Sequence, residues 1–432
     1  MLKINHLRCF VGPVLGVRLG RAAFAAVVLA VVCAIFCACG DGGGRGKLAG
    51  RPAYACADSV DFSTMLHSKM FRLGKSCGQG VAELRSVIGR DTLVQRFALV
   101  EDSALAARGL DLAKVRRGAA WEGAAVLHVP LRRAVVLSSA QIGYMLRLGA
   151  GDRIAGVGDG RFVVDSALYA KVAAGEVAQV GNGHGLVLEK VLSLKPEIVM
   201  TFATGGGYDD YERLQALGIP MMLTSEWQED SPLAKFEWIR LFGMLFGKQA
   251  LADSIFKQTN EDYLSSLVSV GEPAEPRLSS KSPRVLVGMA YGGVWYAPGG
   301  RSYTAQLIRD AGGRYLWEAD TTREMRLSLE EVFALADSAD VWINPGAFSS
   351  PKEILEAEPR VKDIRAFRDG RVYQNDGVKG EGGGNDFYES AVAWPVQLLR
   401  NVTQSINPDS ATGKTADLES SPYKWYRNIF KF

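Results

Sequence analysis

The densest chemistry in this sequence lies in Tyr291-Gly-Gly-Val-Trp295-Tyr296-Ala-Pro-Gly-Gly300-Arg301-Ser-Tyr303. Four aromatic rings and one arginine are interleaved there with glycine and proline. Rings supply stacking area, and a guanidinium can grip a carboxylate through two parallel hydrogen bonds. Such a segment suits a large, flat ligand carrying acidic groups. The competing reading packs the rings into the core and leaves Arg301 in solvent. The interleaved Gly and Pro leave no regular buried face, and this favours the binding role. Tyr208, after Thr204-Gly-Gly-Gly, and Trp227, after Ser225-Glu226, are further candidates for the same ligand. Arg326, with Arg323 nearby, is a candidate to add positive charge.

Other chemistries find less support. The sequence has no Gly-x-Ser-x-Gly elbow, no His-Glu-x-x-His zinc motif and no Gly-Lys-Ser/Thr phosphate loop. The clusters Gly156-Val-Gly158-Asp-Gly160 and Gly181-Asn-Gly183-His-Gly185 lack dinucleotide-binding spacing and read as turns. Beyond the first 39 residues the only histidines are His67, His128 and His184. A tight site for a bare transition metal draws several His or Cys ligands, so no metal site is expected. The same scarcity argues against an enzyme built on a histidine base.

The elements that must position these residues show an internal repeat. Leu188-Glu-Lys-Val-Leu-Ser-Leu194 returns as Leu329-Glu-Glu-Val-Phe-Ala-Leu335, each followed by a β-branched strand, Ile198-Val-Met200 or Val341-Trp-Ile343. Upstream of the two copies lie the strands Ala134-Val-Val-Leu137 and Val285-Leu-Val287. Solenoid repeats are far shorter than this spacing, so the pattern is that of a duplicated lobe. Alternating strands and helices predict parallel sheets covered on both faces. The fold class expected is therefore α/β: two Rossmann-like lobes with central parallel sheets, joined by a long rigid helix, with a ligand cleft between them. The lobes are placed at 131–245 and 283–405, with the joining helix at 246–271. A partly β extension at 55–130 precedes them, and a tail at 406–432 follows, its aromatic end (Tyr423 to Phe432) a candidate to dock on the body.

The N-terminus carries basic residues up to Arg21, an unbroken apolar run from Ala22 to Phe36, and the break Cys37-Ala38-Cys39-Gly40. That is a secretory signal, 1–38, followed by a Gly-rich tether, 39–54. An uncleaved membrane anchor is the alternative. Losing Lys3, Arg8, Arg18 and Arg21 takes the formal charge from +3 to −1, which gives no general reason to bind nucleic acid. Cys56 and Cys77 then remain as an even pair in an oxidising compartment, able to form a disulfide or stay as separate thiols.

The cysteine at the break, the two α/β lobes, the joining helix and the paired Leu-Glu motifs together resemble the substrate-binding lipoproteins of ABC importers for ferric siderophores, haem and cobalamin. The segment Val187-Leu-Glu-Lys-Val-Leu-Ser-Leu-Lys-Pro-Glu-Ile-Val199 is similar to that family's first-lobe signature, and Ser328-Leu-Glu-Glu-Val332 to its counterpart. The resemblance implies lipid on Cys39, rather than Cys37, holding the protein to the periplasmic face of a bacterial membrane. It implies docking of Glu189 and Glu330 on a dimeric ABC permease. It also implies a monomer without an intrinsic cofactor, capturing an iron chelate or tetrapyrrole and handing it on. An extracytoplasmic tetrapyrrole-processing enzyme, such as a metal chelatase, is the rival reading.

Overall fold

Two sheets that share a parallel four-strand core form the frame. The structure is a computed structural model in which residues 59–107, 121–181, 185–206, 209–268, 282–408 and 423–431 are described. In the first lobe, strands β6 (Ala134–Val136), β7 (Ile154–Val157), β8 (Ala178–Gln179), β9 (Ile198–Thr201) and β10 (Met221–Leu223) lie in the order β10-β9-β6-β7-β8. All these pairs are parallel. In the second lobe, strands β11 (Arg284–Val287), β14 (Arg314–Tyr315), β16 (Val341–Ile343), β17 (Val372–Gln374) and β18 (Arg427–Asn428) lie in the order β14-β11-β16-β17-β18. The run β7-β6-β9-β10 thus matches β14-β11-β16-β17, and this common core is parallel in both lobes. Duplication is visible in the topology as well as in the sequence.

Local chemistry explains the elements. Val341, Trp342 and Ile343 are buried on both faces of their sheet, as a central parallel strand requires. The helix Leu329–Ala336 before it begins with a capping box: the Ser328 hydroxyl accepts from the Glu331 N–H while the Glu331 carboxylate accepts from the Ser328 N–H at 2.8 Å. The lobes are joined by Pro232–Glu237, Ile239–Leu245 and Gln249–Val268, three helices in succession. Gly247, at φ 68°, turns the chain before the last and longest of them. No described helix is long and apolar enough to cross a membrane.

The extension is a sheet of its own, built from β1 (Asp61–Phe62), β2 (Phe71–Ser76), β3 (Gln79–Ile88), β4 (Asp91–Val100) and β5 (Ala125–His128). It shares one core with the first lobe, where Phe71, Leu84, Phe97 and Leu99 pack with Trp238, Phe242 and Leu245. Two buried carboxylates secure the loop before β2. Glu237 accepts from the N–H groups of Leu66, His67 and Ser68, and Glu229 accepts from Ser68, from the Met70 and Lys69 N–H groups and from the Trp238 indole. Cys77, in the β2–β3 turn, is disulfide-bonded. Cys39, Cys56, Tyr208 and His184 lie outside the described residues. At the other end Trp425 is buried and donates to Asp386 at 2.8 Å, and β18 adds antiparallel to β17. The C-terminal aromatic segment therefore docks on the second lobe.

The lobes also interlock beside the cleft. A Cβ on Gly380, Gly382 or Gly384 would come within 2.8 Å of backbone atoms of Val164, Arg161 and Phe162 respectively. This glycine-rich run exists because two backbones meet there with no room for side chains. Glu389 completes the join, accepting from the Val164 and Asp165 N–H groups at 2.9 and 2.8 Å.

Candidate functional site

The carboxyl ends of parallel strands face the gap between the lobes, the place where open α/β sheets bind ligands. Ser138 and Ser139 follow β6, Gly158 and Asp159 follow β7, and Phe202 follows β9. From the second lobe come Asn344 after β16 and Gln374 at the end of β17. Together they line a cleft of about 570 Å³. That volume lies within the range of small-molecule sites.

Aromatic rings dominate the walls. Phe162, Phe202, Trp227, Tyr303, Phe387, Tyr388 and Tyr426 all line the cleft. Among the described residues, six large aromatic side chains are exposed, and four of them are Phe162, Phe202, Trp227 and Tyr388. Exposed rings that converge on one concavity mark a binding surface, because scattered ones would not share a cavity. Several polar groups in the same wall are already engaged. Asp159 is held by Arg161 at 2.6 Å, and Gln374 donates to the carbonyls of Gly346 and Phe348. Asn344 holds φ at 51°, an uncommon backbone state for a residue other than glycine.

Two charged groups stand out because they are not engaged. Lys235 projects from helix Pro232–Glu237, whose start is fixed by the Ser231 side chain and Pro232. Its ammonium lies 5.1 Å from the centre of the Tyr303 ring and makes no ion pair or hydrogen bond among the described residues. Burial pushes its pKa down, and the nearby Glu226 charge pulls it part of the way back. Glu226 is 2% exposed, and its Oε2 has no hydrogen-bond partner. A buried carboxylate oxygen without a donor is costly, so a water or a bound group has to satisfy it. Burial also holds the Tyr303 hydroxyl far above its ordinary pKa, so it stays a neutral donor. Among the described residues no group of three or more His, Cys, Asp or Glu is placed to hold a metal ion.

A family model described as periplasmic binding protein matches residues 134–377, more than half of the sequence. The chain belongs to the periplasmic binding protein family. An uncharacterized lipoprotein of Methanocaldococcus jannaschii is 21% identical to it over 299 residues, covering 67% of this chain and 68% of the relative. A vitamin B12-binding protein of Vibrio parahaemolyticus is 31% identical over 67 residues, 16% of this chain and 24% of that protein. A periplasmic binding protein of Veillonella parvula superposes at a TM-score of 0.50 and 16% identity, over 76% of this chain and 99% of that structure. The structural likeness supports the two-lobe fold. Family membership supports a role in binding solutes outside the cytoplasm.

In this periplasmic binding protein most of the aromatic segment 291–303 lies in a small sheet and the core, and one of its rings lines the cleft. Met289–Tyr291 (β12) and Val294–Ala297 (β13) form a hairpin, and β13 also pairs with Met325–Ser328 (β15). Trp295 is 0% exposed, donates to the Val287 carbonyl at 3.0 Å and packs against Trp342, so it belongs to the core. Tyr291 stands in solvent at the hairpin end, away from the cleft. Arg326 donates to the Tyr296 hydroxyl at 3.0 Å across the sheet, and Arg301 pairs with Asp320 at 2.6 Å. Four of the expected contact residues in this region plus Arg326 are thus placed elsewhere. Only Tyr303, at the start of helix Tyr303–Asp310, reaches the cleft. Trp227 lines it as well.

Local sequence signals account for this placement. Gly292-Gly293 between alternating apolar residues is a two-residue hairpin turn, and both glycines adopt positive φ, 57° and 79°. The pair Gly299-Gly300 serves close packing, because a Cβ on Gly299 would lie 2.2 Å from the Thr321 carbonyl oxygen. Lys235 and Glu226 gave no comparable signal, since their isolation depends on tertiary placement. Glu189 and Glu330 are both exposed, each in the first turn of its repeat helix, Leu188–Ser193 or Leu329–Ala336.

Proposed function

We propose that this protein is the solute-receptor component of an ABC importer, capturing a ferric siderophore or a tetrapyrrole such as haem or cobalamin. The observation that carries the proposal is the inter-lobe cleft, where exposed aromatic rings surround one unpaired ammonium. Rings of this number suit a flat macrocycle or a catecholate-type chelate, and Lys235 suits an acidic substituent on it. The short match to a vitamin B12-binding protein agrees with this ligand class. No group in the cleft has to transfer a proton or form a bond for this role.

Glu189 and Glu330 would present two related carboxylates to a two-fold symmetric permease. Exposed charges in such positions mainly steer and orient association. Lipid on Cys39 would hold the receptor near its permease. Uptake in cells tests the docking: the double variant Glu189→Ala, Glu330→Ala should lose most transport while its purified form keeps the parental ligand affinity. Parental uptake by the double variant would remove the docking role from these two residues.

A further inference from the structure

Two residues on opposite sides of the cleft each bring a buried acceptor that has no donor. Glu226 lines it from the first lobe and Asn344 from the second. Glu226 Oε2 and Asn344 Oδ1 are both without a hydrogen-bond partner among the described residues. The position of Glu226 is built, since the N-terminal sheet holds the turn Glu226–Gln228 by specific bonds. Val87 donates its N–H to the Gln228 carboxamide at 2.9 Å and accepts back from it at 2.8 Å. The Ser86 and Ser225 hydroxyls meet at 2.6 Å, and Leu223 of edge strand β10 donates to Gln95 at 2.8 Å. The extension thereby fixes a carboxylate in the cleft wall with 2% of the residue exposed. A site of this kind favours a ligand that supplies the missing donors and discriminates against one that leaves them missing.

Charge narrows the donor. Among the described lining residues the charged side chains are Asp159, Glu226 and Lys235. Asp159 is paired with Arg161 at 2.6 Å, and the Glu226 charge acts on Lys235 although the two form no ion pair. The charges of the wall therefore balance. A free carboxylate on the ligand would meet Lys235, but it would leave both acceptors without donors and set a like charge beside Glu226. An ammonium would meet Glu226 and set a like charge beside Lys235. A hydroxyl is neutral but has one hydrogen to donate. A primary carboxamide is neutral, donates two, and accepts through its carbonyl. We infer that the cleft selects a ligand whose edge carries carboxamides in place of free acids. Glu226 and Asn344 are the specificity-determining residues that accept the amide N–H groups, and Lys235 donates to the amide carbonyl. The inference rests on the receptor reading for the ring system and narrows the substituent beside Lys235 to a neutral one.

The test uses the full-length chain in detergent micelles, titrated by calorimetry with 2-naphthamide, 2-naphthoate and 2-naphthol, protein-free micelles being subtracted. Saturable binding of the amide is expected, at least tenfold tighter than the acid and tighter than the alcohol. Glu226→Gln uncovers the Lys235 charge and should lower the amide-to-acid ratio at least tenfold. Lys235→Met leaves Glu226 unopposed and should raise that ratio, which keeps the test open if the first variant does not fold. A purely structural role would move both ligands alike. Absence of saturable amide binding, acid or alcohol binding as tightly as the amide, or a ratio indifferent to the substitutions would overturn the selectivity. A second arm compares haemin with its diamide, in which both propionic acids are amidated, and the diamide should bind more tightly. Naphthamide behaving as expected while no tetrapyrrole or siderophore binds would retain the amide site and reject the receptor reading. A chelate that binds with no preference for amides would retain the receptor and reject the amide site.

Discussion

Glu389 offers a quantitative test of how the two lobes are joined. Its carboxyl is buried at 2% exposure on the second lobe and accepts from two N–H groups of the first. Burial, reinforced by the Asp386 and Asp165 charges and opposed by the two N–H bonds, raises its pKa from 4.5 to about 7. Between those two values the folded protein keeps the proton and the unfolded chain has lost it. Stability therefore falls as pH rises from 4.5 to 7 and is level above that. A shift of this size corresponds to on the order of 3 kcal/mol. Glu389→Gln removes the titration and keeps an acceptor oxygen for one of the N–H groups. Urea unfolding of both proteins at pH 5, 6, 7 and 8 isolates the effect, because other titrating carboxylates cancel in the difference. The difference should move in favour of the variant by up to about 3 kcal/mol between pH 5 and 8. A flat difference, or one of opposite slope, would refute the assignment of a raised pKa to this group.

Three further outcomes are expected. Trp295→Ala should cost about 3–5 kcal/mol of stability, since a fully buried ring is removed from the second-lobe core. Trp227→Ala, at 45% exposure, should change stability by less than about 1 kcal/mol while weakening the ligand, and urea unfolding beside a binding titration separates the two. Gly382→Ala places a Cβ 2.7 Å from the Arg161 carbonyl oxygen and should destabilise by about 1–3 kcal/mol, read as a lower urea midpoint; an unchanged midpoint would show that the interlock yields freely.

The architecture was legible because it rests on local pattern. The Leu-Glu repeat, the β-branched strands after each copy and the glycine stops all report on periodicity and backbone geometry. They yielded two α/β lobes and the helix between them. The cleft was less legible because side-chain direction in a short strand depends on register. Trp295 and Tyr296 are neighbours in sequence yet face opposite sides of β13, one into the core and one toward Arg326. Lys235 lies in a short helix that carries no motif of its own, and its place beside the cleft follows from tertiary packing. The role of the extension was equally hidden. The bonds from Ser86, Val87 and Gln95 reach residues more than 120 positions away.

Equilibrium titration of the purified chain with haemin, cobalamin and ferric siderophores tests the receptor reading most directly. Free metal ions serve as controls, and tryptophan quenching and visible absorbance serve as readouts. Saturable one-to-one binding of one chelate is expected, weakened at least tenfold by Lys235→Met combined with Trp227→Ala. Binding of none of the chelates, of free metal alone, or of a chelate with affinity untouched by that pair of substitutions would contradict a receptor site in the inter-lobe cleft.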